Sequence, residues 1–113
     1  MSLYHESIGL PAGFKAPSHT VALAYTKHAS DVMTERGIRQ LKMATLARFK
    51  PIEVEVINGR VKKIVFRGNY NETHDIVLVL IPEKRNEYVV KTVWLNEKND
   101  NHSSLNISRY ERP

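Results

Sequence analysis

One dipeptide limits the fold of this chain more than any other feature. Asn58-Gly59 stands between PIEVEVI and RVKKIVFR, two runs of strand-forming residues. Both Asn and Gly tolerate positive φ, so two such residues between β-rich runs predict a two-residue type I′ hairpin. In Ile52–Ile57, Ile52, Val54 and Val56 alternate with Glu53 and Glu55, the period of a strand with one buried face. The turn would set Val56 opposite Val61 and Glu55 opposite Lys62, a favourable cross-strand charge pair. Ile76–Ile81 is apolar throughout, as expected of a strand covered on both faces. Tyr88–Leu95 is again β-rich and carries the only Trp. Four strands joined by short connections predict an antiparallel meander.

Upstream, Lys27–Arg36 predicts a helix. Thr26 can cap its start, and Gly37 stands where a left-handed residue ends helices. Ala29, Val32 and Met33 form its apolar stripe, with His28 and Arg36 along one edge. Thr20–Tyr25 alternates Val21, Leu23 and Tyr25 with small residues, as in a short strand. Residues 38–50 fit either a helical face or extended chain, and Pro51 disfavours helix just before it. The expected fold is α+β: a short N-terminal strand and helix packed on a four-stranded antiparallel meander. Residues 1–113 suit a single domain, with an irregular arm over 1–18 and a polar tail over 97–113, where Leu105, Ile107 and Tyr110 are available as anchors.

With no cysteine among 113 residues, neither disulfides nor thiolate metal sites can form. The opening lacks a basic end followed by an apolar run, as a secretory signal would have. No apolar run is long enough to span a bilayer, so the expected location is cytoplasmic, without membrane association. Positive charge is concentrated. Between Lys27 and Arg67 ten basic residues face four acidic ones, against a net charge of +5 for the whole chain. Such a field favours polyanions. The candidate nucleic-acid contacts are Lys27, Arg39, Lys42, Arg60, Lys62, Lys63 and Arg67.

No Walker loop, GxGxxG, HExxH or GxSxG occurs. The five histidines are too scattered for a metal site, and no cofactor is expected. The remaining chemistry is that of a metal-independent ribonuclease: a proton-transfer group near neutral pH, cations for the charged intermediate, and donors for the phosphate. His28, Arg36, His74, Lys91 and His102 could supply it.

TKHASDVMTERGI resembles the opening signature of small RelE/BrnT-like toxin-related domains, through His28, Arg36, Gly37 and Ile38. Those families belong to the barnase–EndoU–colicin–RelE superfamily, often metal-independent endoribonucleases with a helix followed by a meander. KTVWLNEKNDNHSSLNISRYERP resembles the tails of small uncharacterised phage and prophage proteins. The resemblance implies a catalytic set of His28 and Arg36 with Lys91 and Thr92 from the last strand. Strict alternation would put Lys91 and Thr92 on opposite faces unless a bulge intervenes. The expected function is a RelE-like, RNA-directed protein of phage or prophage type, with metal-independent endoribonuclease activity as the enzymatic form. The alternative is a non-catalytic phage accessory protein binding a host protein or nucleic acid. The candidate partners are RNA and a host or antitoxin protein.

Overall fold

The computed structural model describes residues 5–8, by their backbone, and residues 15–99. The elements are β1 (His5–Ile8), β2 (Thr20–Tyr25), α1 (Lys27–Arg36), β3 (Met43–Thr45), a 3-10 turn (Leu46–Arg48), β4 (Lys50–Ile57), β5 (Arg60–Asn69), β6 (His74–Lys84) and β7 (Glu87–Glu97). The strands form one sheet in the order β1-β4-β5-β6-β7-β2-β3.

The sheet is therefore mixed and larger than a four-stranded antiparallel meander, and the fold expectation is corrected on this point. β4 to β7 do run antiparallel in succession. β2, however, joins β7 in parallel, β3 pairs antiparallel with β2, and the short β1 adds to β4. The parallel partner lies more than sixty residues away in the chain. Local periodicity specifies that a segment is extended, not which strand it joins. β3 is three residues long, too short to show a period. β1 also lies within the arm expected to be irregular.

The order of strands requires the sheet to roll up. Five interstrand gaps separate β4 from β3, about 24 Å if the sheet were flat. Yet the chain goes from Thr45 to Lys50 in five steps, a reach of at most about 18 Å. The link packs onto the inside of the roll, burying Leu46 in the main core, while the Phe49 ring lies over Gly68 of β5.

α1 forms as the sequence predicts. The Thr26 hydroxyl accepts from the Ala29 N–H, and Gly37 ends the helix at φ 67° with its N–H bonded to the Met33 and Thr34 carbonyls. Ala29 and Met33 face inward with Val21, Ile64, Phe66, Leu78, Leu80, Val90 and Val93. The opposite face carries a smaller cluster of Val65, Val77 and Val79, with Ile52 and Trp94 packed against it. The apolar run of β6 thus divides its side chains between two buried faces. Among the described residues no helix is long and apolar enough to cross a membrane.

Asn58 (φ 52°) and Gly59 (φ 76°) both adopt positive φ, and Val56 pairs with Val61 across the turn, as the hairpin predicts. Glu55, however, pairs with Lys63 rather than Lys62. An extra residue, Lys62, is accommodated in a bulge.

Candidate functional site

Bulges decide which side chains share a face. Three of them put an additional residue on the side of the sheet away from α1. Ile52 is extra between the pairs Pro51–Phe66 and Glu53–Val65. Lys62 is extra between Val56–Val61 and Glu55–Lys63. Lys91 is extra between Leu80–Val90 and Val79–Thr92. The packing agrees: Val90 and Val93, three apart, both lie in the core under α1, which strict alternation forbids. Ile52 and Val54, two apart, lie in opposite clusters. A bulge re-aims side chains in this way, so both Lys91 and Thr92 face away from α1.

On that face Glu53 and Glu55 are buried, at 4% and 8% exposure. Lys63 Nζ lies 3.4 Å from Glu55 Oε1. Lys63 starts from β5 and Lys91 from β7, on either side of β6 and on the same face of the sheet. Lys63, reinforced by burial, holds the Lys91 ammonium below the usual lysine range, while Glu55 acts in the opposite direction. The site is therefore two amines and two carboxylates on a half-buried surface, with Thr92 on the same face of the sheet.

Backbone contacts tie this site to the helix. The Thr26 N–H bonds to the Val90 carbonyl at 3.1 Å, and the Thr26 hydroxyl donates to the Lys91 carbonyl at 2.9 Å. One residue thus caps α1 and holds the bulge.

The sequence-predicted site residues are divided by the sheet. His28 and Arg36 are exposed on α1, on one side, whereas Lys91 and Thr92 face the other. Lys63, expected as a nucleic-acid contact, joins Lys91. Arg67 is engaged by Asp75 at 2.8 Å and donates to the Glu97 carbonyl. Lys98, then Arg67, hold the Asp75 carboxyl below the usual range. Lys27 pairs with Asp31 at 2.9 Å on the exposed helix surface. Arg39, Lys42, Arg60 and Lys62 are exposed. His74 bonds the Thr73 hydroxyl at 2.8 Å in the β5–β6 loop. His102, Leu105, Ile107 and Tyr110 lie outside the described residues. Glu53 and Glu55 are the residues that sequence reasoning missed: their alternation with valines pointed them to solvent. The apolar alternate positions Val65, Val77 and Val79 were the available signal that this second face is also covered. Among the described residues no group of three or more His, Cys, Asp or Glu is placed to hold a metal ion.

Comparison with protein-family models, with curated proteins and with solved structures finds no match to this chain.

Proposed function

We propose that this chain is an RNA-directed protein whose phosphate-gripping centre is the Lys63–Lys91 pair with Thr92, on the sheet face opposite α1. The observation that carries this reading is the bulge that turns Lys91 to the face carrying Lys63, with β6 between their strands. Two amines held side by side repel when both are charged, and an anion between them relieves that repulsion. A bridging phosphate would favour the protonated form of Lys91 and gain two charge-assisted hydrogen bonds. The basic excess over Lys27–Arg67 supports a polyanionic partner, and the RelE/BrnT-like signature of Thr26–Ile38 supports RNA and a phage or prophage setting. For endoribonuclease activity, a group at the phosphate must move a proton, worth roughly 10²–10⁴-fold in rate. On this face Lys91 and Glu55 are the groups for that role. The separation of His28 and Arg36 from this centre favours the second reading, a domain that binds nucleic acid without cleaving it.

The test is RNA retention measured over a range of salt, with labelled RNA analysed for cleavage in the presence of chelator. Lys63→Gln combined with Lys91→Met should reduce the slope of log affinity against log salt by about 1.4, at roughly 0.7 per single-strand phosphate contact. Absence of retention at low salt refutes the RNA reading. Retention without cleavage leaves the binding domain.

A further inference from the structure

The sheet face away from α1 is buried, although no described segment lies on it. Val65, Val77 and Val79 are 1%, 0% and 3% exposed, and Glu53, Glu55 and Asn96 on the same face are buried as well. The register sets these side chains in rows: Asn96 beside Asp75, Trp94 beside Val77, and Thr92, Val79, Val65 and Glu53 in line. The buried apolar residues outside the strands, Ala29, Met33, Ile38 and Leu46, all belong to the main core on the other side. The face is also the outside of the roll, where side chains splay apart. An apolar sheet face leaves water only when a second layer covers it. These exposures are those of a single chain, so no second copy supplies the layer.

We infer that the C-terminal segment, residues 100–113, is this layer, folding back from the end of β7 across the outer face toward Glu53 and Glu55. Reach selects it. The Lys98 N–H bonds the Thr73 carbonyl, and its ammonium bonds Asn69 and Asp75, so the chain is still at the Asn96 corner there. From that corner to Glu55 is three strand spacings and six residues of strand, roughly 25 Å. Residues 100–113 extend to at most about 50 Å. Residues 1–4 are too few. His5 pairs with Ile57, which leaves Val77 roughly 25 Å away against a reach of about 14 Å. Residues 9–14 are held between Ile8 on β4 and Ala16 against the main core. A detour to β6 and back to the β1 edge, about 29 Å, would use their whole reach before the chain turned to the other face. The tail also fits by chemistry. Leu105 and Ile107 share one side of an extended chain, and Arg109 is next on that side. Laid from the Asn96 corner, the two aliphatic residues meet Trp94 and the valines, and Arg109 meets the carboxylates of Glu53 and Glu55. The Lys63 side chain keeps 23% exposure, so the amine centre borders this cover, and the inference stands independently of the RNA reading.

The experiment uses the full chain, which has one Trp and no Cys. A single introduced cysteine carrying a nitroxide therefore reports close approach to Trp94 by quenching its fluorescence. The label at Asn106→Cys should remove most of the Trp94 emission at every protein concentration, and the label at Ser2→Cys should leave it. Adding Leu105→Asp/Ile107→Asp to the first protein should restore the emission and open Trp94 to quenching by acrylamide, with an unchanged far-UV circular dichroism spectrum. Undiminished emission with the label at position 106, or equal quenching from position 2, overturns the tail as the cover. Quenching that appears only as concentration rises assigns the layer to a second copy and overturns it as well. If the aspartate variant loses its fold, the two singly labelled proteins decide alone. RNA enters none of these readouts, so failure here leaves the proposed function standing.

Discussion

Replacing Gly68 by Ala should destabilise the protein because of one ring. A Cβ built on Gly68 would lie 2.5 Å from Phe49 Cδ2, 2.8 Å from Cε2 and 3.3 Å from Cγ. Carbon atoms prefer about 3.5–4.0 Å, so the overlap is near 1 Å and falls on the body of the ring. Phe49 has little freedom to withdraw. It ends the short link from β3 to β4, its N–H is bonded to the Leu46 carbonyl at 3.0 Å, and Lys50 is already paired with Arg67. Overpacking of this kind costs about 1–3 kcal/mol. The lost chain freedom of the unfolded state offsets about 0.4–1 kcal/mol of it. A net loss of roughly 1–2 kcal/mol is expected, read as a lower urea midpoint at unchanged slope. Phe49→Ala removes all three of those ring atoms, so Gly68→Ala should cost less in that background. A Gly68→Ala protein as stable as the parent, or a double variant whose losses simply add, would refute the steric account.

Gly59→Val places a β-branched residue at φ 76° and should cost on the order of 1 kcal/mol or more in urea unfolding. Asp75→Asn weakens the contacts with Arg67 and Lys98, with an expected loss of about 1 kcal/mol at neutral pH because these groups remain partly solvated. The folded-state carboxyl is held below its usual value, so its contribution is present above about pH 4 and lost as pH falls through the folded value; the variant should show a shallower acid limb. Lys91 behaves differently: its folded value is below that of the unfolded chain, so the unfolded state binds more protons in between. Parental stability should therefore rise with pH as Lys91 loses its proton, and Lys91→Met should remove that rise. Above about pH 10 the buried-side shifts of Tyr25 and Tyr88, both upward, act in the opposite direction, so the comparison belongs below that point.

What could be read from residues alone follows the range of the interaction. The Asn58-Gly59 turn and the capped helix are set by neighbours a few positions apart, and both appear where those neighbours require. The β2–β7 and β1–β4 pairings join distant segments, and nothing local names the partner. The Lys62 bulge is hidden for another reason. Lys62 and Lys63 are chemically alike, so shifting one into the slot opposite Glu55 leaves no trace in the pattern. Val90 and Val93 did carry a trace. Three-residue spacing of two core valines in a strand requires either a bulge or one exposed valine, and the continuous run Tyr88–Leu95 obscured the choice.

The same bulges explain why the polar site lies where it does. A regular β7 would point Lys91 and Thr92 in opposite directions, and one of them would enter the core that α1 covers. Inserting Lys91 as the extra residue keeps Val90 and Val93 in that core and sends both polar side chains to the other face. The irregularity needs support, because an extra residue leaves the ladder short of a pair. Thr26 supplies it, bonding the Val90 carbonyl through its N–H and the Lys91 carbonyl through its hydroxyl, while the same oxygen caps α1. Helix position and lysine placement are thus coupled through one side chain. The start of α1 thus bears on the placement of Lys91 through Thr26, whereas His28 and Arg36 stand on the far side of the sheet.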